Sequence, residues 1–343
     1  MTGTSTPTTR TGGPALSILD LAYVGRGEST ADALAECVST ARLAEQLGYR
    51  RIWYAEHHNM PSIASSATSV LIGQVAAATE TITLGAGGVM LPNHAPLVIA
   101  EQFGTLAEFH PGRIELGLGR APGTDQQTFR ALRRDAASAD RFPQDVLELQ
   151  GYLGDESRVR GVGATPGKGT HVPLYILGSS LFGAQLAAML GLPYSFASHF
   201  APAALSEAVA LYRREFTPSA VLDRPHVIAG VNVLAAETED RAREAHTRAM
   251  RRRVDTLVGR GREFTDEEAD MILASPQGRH LRTMTQYSAV GTAAQVTEYL
   301  DGFVATADAD ELIVVAQAAE RQTARTTLEL LSDLNARGVG PAV

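Results

Sequence analysis

The chain is short of residues on which several kinds of chemistry depend. Its 343 residues include one cysteine, Cys37, so no intramolecular disulfide or thiolate metal cluster can form, which suits a reducing compartment. They also include one lysine, Lys168, within the glycine-rich segment "GVGATPGKGT", which leaves almost no route to Schiff-base catalysis from a strand end. That segment imitates a phosphate-cradling loop, but Val162 stands where its first glycine belongs and Gly169 replaces the hydroxyl residue that would hold magnesium. It is expected to be a surface connection. No stretch reaches the roughly 18 apolar residues of a membrane span, and residues 1–14, "MTGTSTPTTRTGGP", lack the apolar centre of a secretory signal. These fourteen are expected to form a disordered tail, and the protein is expected in the cytoplasm with no membrane partner. Positive charge is scarce as well. The net charge of −8 argues against a nucleic-acid partner, although "RAMRRRVDTL" offers a local basic face.

What is present is an alternation. Apolar, β-rich runs at 16–24, 51–58, 81–91, 114–121, 172–179, 193–200, 226–236 and 311–317 are separated by segments with helical periodicity. Ser29 precedes a helical pattern of Leu34, Val38, Ala41 and Leu47 closed by Gly48, and Thr292 and Gln295 have capping-box spacing. Eight such strands close a (β/α)8 TIM barrel, so residues 15–343 are expected to form one α/β domain. Two long connections, 122–171 after the fourth strand and 238–310 after the seventh, are expected as insertions at the catalytic face. A doubly wound sheet would show the same alternation, with its ligand glycines in the first strand-to-helix turn. There Gly25 and Gly27 lack the third glycine, and "GLGRAPG" is one residue too long with Pro122 inside it. Neither is a dinucleotide fingerprint.

A barrel collects its chemistry at the carboxyl ends of its strands. Those ends offer Glu56, His57 and His58; Asn93 and His94; Arg120; Gly178, Ser179 and Ser180; and His199. "AEHHN" invites a metal, but adjacent strand residues face opposite ways, so His57 and His58 converge only if the strand has ended at Glu56. The expectation is no metal. In "ILGSSLFGAQLAAMLG" a strand and a small turn lead into a helix whose first N–H groups suit a phosphate, unless a serine simply caps them. Arg120 at the neighbouring strand end adds the guanidinium that phosphate prefers, and Arg141 is a further donor. Gly85, Gly87 and Gly88 in the third strand suggest close approach of a flat ring or backbone, or a bulge.

Through "WYAEHHNMP", "LGAGGVMLPNHAPLVIAEQF", "FHPGRIELGLGRAPG" and "ILGSSLFGAQLAAMLGLPYSFASHF", the chain resembles the bacterial luciferase-like flavin monooxygenases, in particular the subgroup with natural-product tailoring oxygenases. The resemblance is dense from residue 16 to about 200 and thins beyond. It implies a (β/α)8 barrel binding reduced FMN, with His57 catalytic, Arg120 and Arg141 on the flavin phosphate, and Gly178 with Ser179 as the phosphate turn. It also implies a non-prolyl cis peptide at Gly87–Gly88 against the flavin ring, and a mobile lid within 238–290. Gly119 replaces the cysteine that luciferase itself carries, which gives no support to light emission, and Gly178 replaces a glutamate. The implied chemistry is oxidation of a small organic substrate by O2 through a C4a-(hydro)peroxyflavin. His57 acts as base or hydrogen-bond donor, oriented by Glu56, with His199 a further pocket residue. Without an NAD(P)H motif, a separate flavin reductase is expected as a transient partner, and a homodimer through helices beside strands two and three. Deazaflavin F420 on the same barrel and a non-catalytic flavin-binding protein are the alternatives.

Overall fold

Nine parallel strands are built from the apolar runs: β1 (Ala15–Asp20), β2 (Arg51–Tyr54), β3 (Thr83–Met90), β4 (Ile114–Gly119), β5 (Leu174–Gly178), β6 (Tyr194–Phe196), β7 (Val227–Ala235), β8 (Ser288–Gly291) and β9 (Glu311–Ala316). The computed structural model of the chain describes residues 15–121, 123–259 and 262–337; the expected N-terminal tail lies outside them. β1 to β6 pair in chain order, β1 pairs with β9, β9 with β7 and β7 with β6. The ring is closed. An open doubly wound sheet would leave two edges, so the (β/α)8 reading holds and the eight expected runs are its staves.

β8 is an addition. It arises inside the 238–310 connection and pairs with Asn232–Ala235 at the far end of β7, whereas β6 pairs with Val227–Ala229 at its start. The nine-residue β7 thus carries two neighbours on one side in succession. The 122–171 connection carries three helices, Gln126–Ala131, Ala136–Asp140 and Phe142–Leu153. Lys168 is exposed in a turn-rich loop, as the surface reading expects.

The period of two sorts each strand between an inner and an outer layer. In β2, Ile52 and Tyr54 face the helices, whereas Trp53 and Ala55 join Leu19, Tyr175, Ile228, Ile313 and Val315 in the barrel interior. Below them is a buried charged layer. Arg51 donates through Nη1 to Glu115 Oε2 at 2.8 Å and pairs through Nε with Glu311 Oε1 at 3.1 Å. Glu115 also accepts from Trp53 Nε1 at 3.0 Å and Tyr175 Oη at 2.9 Å, and Ser17 Oγ donates to Glu311. Trp53 and Tyr175 meet edge to face at 4.9 Å, with the guanidinium 5.5 and 5.1 Å from their ring centres. Gly85 makes room for the indole: a Cβ there would come within 2.7 Å of Trp53 Nε1. At Gly85 the flat ring is therefore the protein's own, and the register shift between Ala86 and Val89 supplies the bulge.

The helix Thr30–Gln46 is capped by Ser29 and Asp32, and Gly48 follows its end with a positive φ of 72°. Its buried face is Ala33, Cys37, Ala41 and Ala44, and Leu34, expected inside, is exposed. Small side chains bring this helix close to the barrel, and the larger leucine is left outside. Thr292 and Gln295 form the expected capping box.

Candidate active site

A cavity of about 830 Å³ opens at the carboxyl ends of the strands, near the upper range for small-molecule sites. On one wall, Arg120 follows β4 and Gly178–Ser180 follow β5. These strands are neighbours, with Gly119 opposite Leu177. The Arg120 guanidinium lies 4.2 Å over the Phe182 ring, in the first turn of the helix Leu181–Leu190, and Nε donates to the Ala139 carbonyl at 3.3 Å. Asp140 is 3.9 Å away and mostly exposed, a weak competitor for this cation. Ser180 occupies the N-cap in extended conformation without a side-chain capping bond. Plain serine capping is thus not what the turn does, and the first N–H groups of the helix are left for another acceptor. Arg141 does not itself border the cavity, although Ala139 and Phe142 on either side of it do, and its Nη2 donates to Ser138 Oγ at 3.4 Å.

Two histidines from other staves also line the cavity, His57 after β2 and His199 after β6. The His57 backbone is fixed by its N–H donating to Ser65 O at 3.1 Å and by its carbonyl accepting from Ser66 Oγ at 2.9 Å. Its side chain borders the cavity, and buried Nδ1 has no hydrogen-bond partner among the described residues. Burial pushes its pKa below the ordinary histidine value, against the pull of Glu56. His199 also borders the cavity with an unpartnered Nδ1, seated over Gly230, where a Cβ would come within 2.3 Å of that nitrogen. Burial, then the positive field of Arg253, pushes His199 down to about 3. Both imidazoles are neutral near pH 7 and offer unsatisfied atoms to a ligand. On β3, between the staves that carry His57 and Arg120, Gly87 and Gly88 border the cavity and are joined by a non-prolyl cis peptide bond as the resemblance implies.

The structure corrects the role expected of Glu56. It lies outside the cavity lining, and its carboxylate turns to His58 and His94 instead of orienting His57: both Nε2 atoms are 2.8 Å from Oε1, and the Met90 N–H donates to Oε2 at 3.2 Å. Burial would raise its pKa, but the two imidazoles reverse this and hold it at about 2. The three ligand atoms lie within 4.8 Å of one another. Where the sequence groups Glu56, His57 and His58, the structure therefore groups Glu56, His58 and His94, cross-linking the loops after β2 and β3 behind the site. β2 ends at Tyr54, so strand alternation does not decide the matter, yet the two part: His58 turns to Glu56 and His57 borders the cavity.

These burials predict a two-stage acid profile. His199 and His57 resist protonation in the folded chain, so stability erodes as pH falls from about 6.5, where unfolded histidine takes its proton. Glu56 and Glu311, the latter also held at about 2 because Arg51, His226 and Arg50 together outweigh burial, add a second loss between about 4.5 and 2. Urea midpoints measured against pH should show both stages, and His199→Gln should flatten the first while leaving the second. An unchanged slope above pH 4.5 in that variant refutes the assignment.

Sequence reasoning missed Trp53, Phe182, Tyr23 and Arg253, all on the cavity wall. Phe182 was open to discovery as the aromatic two residues past the serine turn. Arg253 was hidden in a run of three arginines.

Fold and site together define a (β/α)8 protein with a ligand cavity at the C-terminal rim of its strands. More particularly, the chain belongs to the luciferase-like monooxygenase family, whose sequence pattern matches residues 15–311. A luciferase-like monooxygenase of Escherichia coli K12 is 45% identical over 329 residues, covering 95% of this chain and 98% of its own. The N-acetyl-S-alkylcysteine monooxygenase of Bacillus subtilis 168 is 41% identical over 187 residues, covering 53% of this chain and 56% of its own. The crystal structure of apo-MsnO8 superposes with a TM-score of 0.85 at 30% identity, covering 96% of this chain and 99% of that one. Below 25% identity, where likeness is of fold alone, stand the oxygenating constituent of a 3,6-diketocamphane monooxygenase in complex with FMN (17%, TM-score 0.75) and an F420-dependent secondary alcohol dehydrogenase (14%, TM-score 0.71). Among the described residues no helix is long and apolar enough to cross a membrane.

Proposed function

We propose that the chain is an FMN-dependent monooxygenase that takes reduced FMN from a separate reductase and oxidises a small organic substrate with O2. The observation that carries this reading is the anion seat: Arg120 stacked on Phe182 beside the uncapped helix start at Ser180, on the same cavity rim as His57. It fits a terminal phosphate monoester, with a fixed guanidinium, free backbone N–H groups and the Ser179 and Ser180 hydroxyls as donors. The unpartnered Nδ1 atoms of His57 and His199 suit a polar heterocycle further in. Reduced FMN, when bound, activates O2, so that one oxygen atom goes to the substrate and the other to water.

The remaining work falls to the chain. Arg120 and the Gly178–Ser180 turn bind and orient the phosphate, and Gly87–Gly88 leave a flat surface for the ring. His57, kept neutral by burial, accepts or donates a proton at its side-chain nitrogen. The helices Glu239–Val254, Asp266–Ala274 and Pro276–Met284 act as the lid that keeps water out, tied to the loop after β1 by Arg26, which pairs with Asp255 at 2.6 Å. Exposed Val70, Val98 and Phe109 on the helices after β2 and β3 support the homodimer.

Titration with FMN tests the seat. Arg120→Ala is expected to weaken binding about 10- to 100-fold, the range for hydrogen bonds to charged groups, with a smaller loss for Ser179→Ala. Unchanged affinity in both variants removes the phosphate from this rim. Tighter binding of F420 than of FMN would transfer the same seat to a deazaflavin. Fast reduction of bound flavin by NAD(P)H alone would dispense with the reductase.

A further inference from the structure

The helix Glu239–Val254 ends in three arginines whose surroundings differ. Arg251 pairs with Asp270 at 2.7 Å and with Asp266. Arg252 pairs with Asp255 at 3.3 Å and donates to the Val24 carbonyl at 2.5 Å. The guanidinium of Arg253, a further 100° round the helix, enters no hydrogen bond or ion pair among the described residues, yet Arg253 borders the central cavity. No hidden acidic side chain can serve it, because the residues outside the described ones include no Asp or Glu. Burial holds its pKa below the ordinary guanidinium value, and the counterweight is the Tyr23 phenol rather than a carboxylate. A half-buried cation without an anion is costly. The chain tolerates this where a ligand's negative charge offsets it.

The neighbourhood narrows the ligand. Met60, Ile63, Phe200, Leu257 and Met284 add apolar side chains to the lining of the same cavity. His199 is neutral near pH 7 and adds no charge. One fork-shaped cation with a phenol beside it matches a singly charged carboxylate, whereas a phosphate dianion draws on the richer donor set at Arg120.

We propose that Arg253 is a specificity-determining residue that receives a carboxylate of the organic substrate, whose apolar body lies along Met60, Ile63, Phe200 and Leu257. This rests on the oxygenase reading of the cavity, in which the Arg120 end is taken by the cofactor's phosphate. The substrate class is then an amphipathic carboxylic acid, with its oxidisable centre held between the Arg253 anchor and His57.

Trp53, the chain's one tryptophan, borders the cavity and reports binding by its fluorescence without any flavin. N-acetyl-S-benzylcysteine and its primary amide serve as matched charged and neutral probes. The full-length protein is expected to bind the acid about tenfold or more tighter than the amide. Arg253→Ala should abolish that preference, Arg253→Lys should keep part of it, and both variants should bind FMN as the parent does. Three results overturn the proposal: no saturable binding of the acid, equal affinity for acid and amide in the parent, or loss of FMN affinity in Arg253→Ala comparable to that in Arg120→Ala. Because the acid–amide comparison is made without flavin, a failed FMN titration sinks the cofactor reading without deciding this one.

Discussion

Replacing His57 by alanine is expected to lower the oxygenation rate by about 10²- to 10⁴-fold, the span of a general acid–base group, while FMN affinity stays within about threefold of the parent's. The His57 backbone is held by Ser65 and Ser66 and its imidazole has no partner at Nδ1, so little structure depends on the side chain. The loss should therefore appear in kcat. His57→Gln, which keeps a hydrogen-bonding group but cannot carry a proton at pH 7, separates the two possible duties. If the glutamine variant recovers most of the rate, His57 donates a hydrogen bond; if it stays as slow as alanine, His57 moves a proton. Single turnovers with pre-reduced FMN and the acid probe measure both, and a parental rate in the alanine variant removes His57 from the chemistry.

The second large effect lies at the other end of the barrel. Arg51→Met should cost about 3 kcal/mol of stability, the lower end of what breaking a buried ion pair costs. Glu115 keeps the Trp53 and Tyr175 donors, and Glu311 keeps Arg50 at 3.6 Å and His226 at 3.5 Å, so neither carboxylate is stranded completely. The repulsion they gain is the damage. Adding Glu311→Gln to Arg51→Met should recover part of the loss, because it removes one of the two like charges. Urea unfolding gives the numbers, and a loss below about 1 kcal/mol, the scale of a surface pair, would mean that the layer is wetter than its burial indicates.

The ring of strands was legible because β-branched and aromatic residues recur at the spacing of strand, helix and strand. β8 was not: "SAVG" is too short to show a period, and only pairing with the far end of β7 makes it a strand. The inner layer was equally opaque, since Arg51, Glu115 and Glu311 lie 64 and 260 residues apart and charged residues in a sequence normally indicate surface. At the site, His57, Arg120, the Gly178–Ser180 turn and His199 could be collected because each sits at or just past a strand end, and Gly87–Gly88 because glycines inside a strand stand out. Side-chain direction could not be read in the same way. Glu56 faces backward to His94, 38 residues on, and Arg141 faces Ser138.

The added strand, β8, also constrains how the cavity can be shut. The excursion that leaves β7 at Ala235 returns through β8 to pair with Asn232–Ala235, so both of its feet stand on one stave. Closure of a span pinned in this way is expected as the tilting of an arch about that stave, not as a ribbon that folds down afresh at each visit. Its underside, where Arg253 and Leu257 hang, can then be recarved for a different guest while the proposed anion seat at Arg120 and Ser180 stays untouched.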